Sequence, residues 1–481
     1  MTAGFDAASA LLLLPALAAA VLLALPGYRA GAVVNTLAAF LSFLAAASLL
    51  VAKPEDGAFL RVDDLNIVFL VLNSFVGCTT ALFSAGYIAH ELEAGRLTIG
   101  QMRFYHAMYQ ALLFAMNLAL LASSIGVMWV AIEMATLTTV LMVGLYRTPA
   151  AIEAAWKYFI LGSVGIALAL FGSILVYMAA RPVVGEGPDG MAWAVLMAHA
   201  AAFDPALLNL AFVFLLLGYG TKVGLVPLHA WLPDAHAEGP TPISAVLSGL
   251  LLNVALYAVL RFKLLLAAAP GALAPGPLLM GLGLLSLLFA GGMLYRRRDI
   301  KRLFAFSSIE HMGLIAFAFG IGGPIANFAG LLHMAMHSLT KSAIFFGVGH
   351  VVQVKGTQAL SEIRGLTASH PVLGWGLVLG VAAIAGLPPS GVFMSEFLVV
   401  TSTVAHAPAL AALLVAGLLL AFGALMLRLH GLAFGAPTGR MAPVKGTQAP
   451  MLLHLALVVG AGLYLPPPLV AWFQHIARLL G

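Results

Sequence analysis

Charge is scarce in this chain. Only 9% of its 481 residues are Asp, Glu, Lys or Arg, against about a quarter in soluble domains, so a water-facing globular surface is excluded. Cysteine is scarcer still. Cys78 is the single one, which excludes an internal disulfide and leaves too few thiolates for an iron–sulfur cluster. Any redox chemistry would have to happen elsewhere. A strong basic excess is also missing: a net charge of +5 spread over short connections reads as membrane orientation, not as a nucleic-acid surface. No nucleotide-binding loop or nucleophile set is present. Glycines such as those in Ile321-Gly322-Gly323-Pro324 and Met280-Gly281-Leu282-Gly283 lie in apolar stretches or short connections, where they permit close helix packing.

What the chain has is hydrophobic length. Apolar residues make up 62% and the mean hydropathy is +1.05. With about 20 apolar residues per crossing, the pattern predicts an all-α membrane protein with about fourteen transmembrane helices and no soluble domain. The spans fall near 7–26, 29–51, 65–89, 105–122, 125–146, 154–180, 208–236, 241–264, 276–295, 299–320, 323–353, 373–404, 408–433 and 449–467. Their recurrence along the chain rules out a single cleaved signal peptide as their explanation.

Two spans are interrupted, span 7 by Gly224 and Pro227, and span 12 by Gly386-Leu387-Pro388-Pro389 with Gly391. Proline removes a helix hydrogen bond, and lipid-facing backbone cannot be left unpaired, so both breaks must face protein or water. They lie five spans apart. That spacing is expected if spans 4–8 and 9–13 are structural repeats, because an odd number of helices reverses direction and inverts the topology. The chain then divides into three N-terminal spans (1–104), a first repeat (105–264), a second (265–433), and a last span with its tail (434–481). Connections after odd-numbered spans hold 13 Lys and Arg, including the cluster from Arg296 to Arg302, against 5 after even-numbered ones, among them Arg261 and Lys263. The bias predicts both termini on the non-cytoplasmic side, and the expected location is a prokaryotic inner (plasma) membrane.

Five ionisable residues fall inside predicted spans: Glu133, Lys157, Lys222, Lys341 and Glu396. At roughly 3 kcal/mol each, leaving them in lipid would cost on the order of 15 kcal/mol, which rivals a domain's net stability of about 5–15 kcal/mol. They must be paired, hydrated or neutral. One reading makes them static ion pairs that fix helix packing. A second makes them proton carriers, since lysine, unlike arginine, is readily deprotonated when buried.

Histidines extend the series. His333, His337 and Lys341 recur at i, i+4 and i+8 on one helix face, about 6 Å apart along the axis. Such a stripe can carry a proton through intervening water, or its imidazoles can simply satisfy neighbouring carbonyls. Zinc is the third reading, but His333-Met334-Ala335-Met336-His337 lacks the Glu of an H-E-x-x-H site and shows no third ligand, so no metal is expected. Lys222 precedes the first break and Glu396 follows the second, where freed carbonyls make a polar setting. His229, Asp234, His236 and Glu238 continue from the first break as either a solvated mouth or a structural loop. Glu310 and His311 form another polar step.

Several motifs point one way. Trp129 to Glu133, Ala155 to Gly162 with Lys157, Lys222 to His236 through Pro227 and Asp234, Gly386 to Pro389, and Met394-Ser395-Glu396-Phe397 resemble the antiporter-like proton-pumping subunits of respiratory complex I, Mrp cation/proton antiporters and energy-converting membrane-bound hydrogenases. The resemblance covers nearly the whole chain. Trp129 to Gly162, Ser307 to His311 and the Pro-Pro before Glu396 are most similar to the F component of hydrogenase-4 and related formate hydrogenlyase complexes. The family implies fourteen helices with two inverted five-helix repeats, a hydrated polar axis, neighbouring antiporter-like subunits, and a peripheral redox module that is hydrogenase-like or quinone-reducing. It also implies roles: Glu133 and Lys222 as a coupling pair, Lys341 as a central relay, and Glu396 nearest the opposite half-channel.

One position departs. Many complex I relatives carry lysine where this chain has Asn253, and an amide holds water but takes up no proton near neutral pH. The relay then leans on His333, His337 and Lys341, or it is incomplete. With the chain ending at Gly481, the long lateral helix of the largest complex I relative is not expected. The expected function is thus a non-catalytic, cofactor-free subunit that moves protons through the bilayer. A Na⁺/H⁺ antiporter, a structural scaffold and an inorganic-carbon uptake partner are the alternatives.

Overall fold

Lipid offers a peptide group no hydrogen bond, so a chain this apolar must satisfy its backbone within each segment, and helix does that. The computed structural model describes residues 6–54, 57 and 59–481. Among them no strand forms, and three isolated bridges, Leu60 with Ala122, Ser124 with Ala192 and Asp299 with Ala359, tie connections together. The helices are α1 (Ala7–Ala24), α2 (Tyr28–Ser48), α3 (Asp64–Glu93), α4 (Ile99–Leu121), α5 (Ile125–Val143), α6 (Pro149–Val184), α7 (Trp193–His199), α8 (Pro205–Val223), α9 (Leu232–Glu238), α10 (Thr241–Val246), α11 (Leu252–Ala267), α12 (Gly276–Leu294), α13 (Ile300–Ile321), α14 (Gly323–Lys355), α15 (Leu366–Ser369), α16 (Pro371–Ile384), α17 (Gly391–His406), α18 (Pro408–Ala433), α19 (Ala449–Leu463) and α20 (Pro467–Leu479). Their starts follow local chemistry. Asp63 and Asn66 form a capping box before α3, Thr98 and Gln101 another before α4, and Pro149 opens α6.

Each sequence-predicted span holds helix, but among the described residues only 11 helices are long and apolar enough to cross a membrane by themselves. The rest depart for physical reasons. Helix α14 is 33 residues long, yet its middle carries His333, His337, Ser338, Thr340 and Lys341, all buried. Span 12 is two halves, α16 and α17, of 14 and 16 residues. The last span is α19, joined to α20 at a bend of 81°. Arg261 and Lys263, counted above as connection charges, lie inside α11 and are buried. Arg261 reaches Asp63 at 2.7 Å, and Lys263 donates to the Leu480 carbonyl at 2.8 Å. Burial alone would raise the Asp63 carboxyl, but the Arg261 guanidinium overrides it and holds that group below its ordinary range.

Both predicted breaks are present. Helix α8 stops at Gly224, whose φ of +81° suits glycine, and the chain turns before α9. The freed groups find protein partners: Val226 N–H donates to Ser286 Oγ at 2.9 Å, and Trp231 Nε1 donates to the Thr221 carbonyl at 2.8 Å. Helix α17 restarts after Ser390, whose hydroxyl accepts from Phe393 N–H. The best 18-residue stretch of the α10–α11 span is wholly buried and that of α13 is 94% buried, whereas α18 has only 33% buried. The polar helices thus form a shielded centre behind an apolar jacket.

Close packing is built on small residues. A Cβ added to Gly283 of α12 would lie 2.5 Å from the Gly313 carbonyl oxygen of α13, so only glycine permits that approach. Gly283→Leu is expected to cost at least about 1–3 kcal/mol through overpacking. Thermal unfolding of the detergent-solubilised chain checks this, and an unchanged midpoint contradicts it.

Candidate functional site

The first charged pair is made by α5, α6 and α8. Lys222 occupies the last turn of α8, just before the Gly224 break, with its side chain 1% exposed. Its Nζ stands 3.6 Å from Glu133 Oε2 and donates to Thr136 Oγ1 at 2.7 Å. Gly162 of α6 makes the room, for a Cβ there would sit 2.9 Å from that Nζ. Glu133, 19% exposed, gives the pair a partly open outer edge. A charge buried this way is tolerable only with its partner, since removing one leaves the other uncompensated.

Lys157 lies on α6 too but not in this pair. Its side chain is 39% exposed and meets Asp234 of α9 at 2.5 Å and Glu153 at 3.9 Å. Arg302 of α13 joins the cluster, 3.2 Å from Asp234 and 2.9 Å from Glu238. Lys157 sits near the start of α6, where a long stem can carry its charge out toward water. Of the mouth residues, Asp234 belongs to this half-exposed ion cluster. His229 is half-buried between the rings of Phe289 and Phe306, at 5.0 and 6.1 Å. His236 is fully buried and stacks on Phe345 at 5.0 Å.

A second cluster joins α13, α14 and α17. His311 Nδ1 and His333 Nε2 are 3.0 Å apart, His311 Nε2 is 3.1 Å from Glu310 Oε2, and His333 Nδ1 meets Ser395 Oγ at 2.9 Å. Glu396 Oε1 lies 4.0 Å from His311 Nδ1. Lys341 Nζ donates to the Phe304 carbonyl at 3.1 Å, within electrostatic reach of Glu310. The His333, His337 and Lys341 stripe does line one buried face, but its contacts run sideways: His333 bonds to His311, and the His337 ring lies 5.6 Å from that of His311. A cavity of about 240 Å³ borders the cluster, lined by Glu310, Gly386, Glu396 and residues of α18. Gly386 suits this place because its φ of +73° is one that other residues rarely adopt, and a Cβ there would also displace the Glu396 carboxylate.

Between the two clusters the bundle is polar without being charged. Asn253 donates to Ser338 Oγ at 2.7 Å and to the Met334 carbonyl at 3.3 Å. Ser248 meets Ser308 at 2.6 Å, beside a π-helical turn over Leu247–Leu251. Besides Arg261 and Lys263, further buried charges escaped the sequence reading, Lys301 and Glu91 among them. Lys301, assigned to the basic connection, is 2% exposed and donates to the carbonyls of Ala237 and Gly239 at 3.0 and 2.5 Å. Glu91 accepts from Arg96 at 2.7 Å and Gln353 at 2.8 Å. Both line a cavity of about 380 Å³. Lys301's place in the first turn of an apolar span was the available signal.

Several buried atoms along this row accept or donate no hydrogen bond within the protein: Glu133 Oε2, whose contact with Lys222 is an ion pair at 3.6 Å, both ring nitrogens of His236, Asn253 Oδ1, and both ring nitrogens of His337. More than about 90% of buried polar groups in proteins are satisfied, and water is the usual partner of the remainder. These atoms are places where a water can bind.

Interrupted helices beside a buried row of Lys, Glu and His define an antiporter-like membrane subunit. The chain belongs to the transmembrane family described as NADH:quinone oxidoreductase/Mrp antiporter, which it matches over residues 122–422. It is 63% identical over 473 residues to the "Hydrogenase-4 component F homolog" of Methylacidiphilum infernorum (isolate V4), covering 98% of this chain and 99% of that one. Solved structures share the fold, and two of them serve as examples. A chain of the archaeal membrane-bound sulfane sulfur reductase aligns with a TM-score of 0.86 at 24% identity, over 99% of this chain and 98% of its own. A chain of Thermus thermophilus respiratory complex I aligns with a TM-score of 0.80 at 25% identity, over 99% of this chain and all of its own.

Asn253 carries one strong hydrogen bond in this geometry, and Ser338 keeps a second through the Gly249 carbonyl. Asn253→Ala is therefore expected to cost only about 1–2 kcal/mol. Denaturation in mixed micelles measures it, and a loss of about 4 kcal/mol or more would contradict this description of the centre.

Proposed function

We propose that this chain is a proton-translocating subunit of a multisubunit, redox-driven membrane complex of the hydrogenase-4/formate-hydrogenlyase or complex I type. It carries no redox group itself. Other antiporter-like subunits flank it, and a peripheral hydrogenase-like or quinone-reducing module supplies the energy. The membrane is the prokaryotic inner membrane, with both termini on its non-cytoplasmic side. Residues 105–264 and 265–433 act as two inverted repeats, each holding one broken span.

One observation carries this reading: the buried row from Glu133 and Lys222, past Asn253, to Lys341, His337, His333 and Glu396, with orphaned polar atoms spaced along it. His229, Asp234 and His236 lead away from the first break, while Glu310 and His311 serve the second cluster. Lys157 acts from the half-exposed cluster at the edge. A membrane potential stores about 2.3 kcal/mol per charge per 100 mV, similar to the roughly 1.4 kcal/mol of one pKa unit. A neighbour's charge approaching the partly open Glu133 would loosen its hold on Lys222 and release a proton along the row.

Purified complex reconstituted in vesicles tests this by the number of protons moved per electron. Lys222→Met and Glu133→Gln are each expected to lower that ratio with subunit composition intact, and an unchanged ratio in both would sink the proposal. Lys157→Gln, altering only a half-exposed ion cluster, is expected to lower it less than Lys222→Met. An equal or larger loss would return Lys157 to the main path. If transport requires Na⁺ instead of persisting in its absence, the moving ion is sodium and the proton reading fails.

A further inference from the structure

The sequence offers zinc only the pair His333 and His337, one turn apart with no third ligand. The fold supplies a different set. His311 of α13, His333 of α14 and Glu396 of α17 each present one donor atom, all within 4.8 Å of one another. We propose that these three residues form a binding site for a borderline divalent transition metal of the Zn²⁺ class, open to the adjoining cavity at a fourth position.

The separations suit such an ion. Zinc–ligand bonds of about 2.0–2.1 Å arranged tetrahedrally set neighbouring donors about 3.3–3.4 Å apart. The observed 3.0 Å between His311 Nδ1 and His333 Nε2, and 4.0 Å between His311 Nδ1 and Glu396 Oε1, bracket that value. Small side-chain rotations close the set. Two imidazoles and a carboxylate match zinc, whereas magnesium and calcium prefer oxygen alone. The cavity of about 240 Å³ beside Glu396 leaves room for a water as fourth ligand.

A second observation is independent of the donor atoms. Metal-bound histidines generally donate their remote N–H to a carboxylate or another acceptor, which fixes tautomer and ring plane. One ring has such a partner in place: His333 Nδ1 meets Ser395 Oγ at 2.9 Å. His311 Nε2 lies 3.1 Å from Glu310 Oε2 without hydrogen-bond alignment, so a small rotation of the carboxylate is what would give that ring its acceptor. Ser395 can accept that N–H while donating onward to the Val392 carbonyl at 2.8 Å. In the metal-free site one ring's N–H lies between the two histidines. Where His333 carries it, binding moves it within that ring from Nε2 to Nδ1, where Ser395 receives it; where His311 carries it, the move is from Nδ1 to Nε2, on the Glu310 side; either way both nitrogens of the pair come to face the ion. His337, with no partner on either nitrogen, takes no part.

An occupied site would tie up two imidazoles and the Glu396 carboxylate, locking this end of the polar row. The binding claim rests on geometry alone, so it can fail without touching the proton reading, and the reverse. The test is calorimetric titration of the full chain in detergent with Zn²⁺, paired with X-ray absorption of the Zn-loaded protein. One tight equivalent with two imidazoles and oxygen in its coordination shell is expected. His311→Gln and His333→Gln should each weaken that equivalent at least about tenfold, Ser395→Ala by about 10–100-fold as a supporting residue, and His337→Gln not at all. His370, His406 and His475 stay in every variant, so adventitious surface binding is constant. No stoichiometric zinc, a shell without two imidazoles, or equal affinity in wild type, His311→Gln and His333→Gln would overturn the site.

Discussion

Everything polar in this bundle depends on how Lys222 is kept inside a membrane protein. Its ammonium has almost no exposure, and its charged partner among the described residues, Glu133, stands at 3.6 Å. Neither group is tolerable there alone. The pair therefore dictates its surroundings: a threonine hydroxyl from α5 for the lysine, a glycine on α6 to leave space, and a helix break just beyond, where turns replace the regular ladder. Those features are one solution to one electrostatic problem.

The same problem recurs at the second break with different chemistry. There the buried groups are mostly imidazoles and carboxyls, which can be neutral, so they pack within hydrogen-bond reach of one another instead of in a single ion pair. Gly386 leaves space for Glu396 as Gly162 does for Lys222. Between the breaks, Asn253, Ser248, Ser308 and Ser338 hold a neutral polar bridge. A neutral bridge between two ionisable clusters keeps charges apart by distance while preserving sites where water can bind. That is what a relay needs and what a rigid scaffold does not, since a scaffold gains nothing from partnerless nitrogens on His236 and His337.

Legibility in the sequence followed the physics of each feature. Helices and their order were readable because lipid leaves the backbone no other choice, and the two breaks were readable because proline and glycine act locally. The ionisable residues stood out because so few exist. What local pattern could not reveal was partnership between distant segments: His333 pairs with His311 and Ser395, not with its helical neighbour His337. Depth was the other blind spot. Lys157 sits in an apolar run yet reaches water and Asp234, while Lys301, Arg261 and Lys263 look like connection charges yet are buried. Whether a long side chain climbs out or stays in depends on which neighbours offer oxygen, and only the packed bundle decides that.

A proton relay through this bundle requires the polar row to be wet. A density map of the purified complex, sharp enough to resolve water, examines that directly. Ordered waters are expected within hydrogen-bond distance of the His236 and His337 ring nitrogens and of Asn253 Oδ1, joining the Lys222 pair to Lys341. A dry, apolar gap between Lys222 and Lys341 with those nitrogens still unpartnered would contradict it.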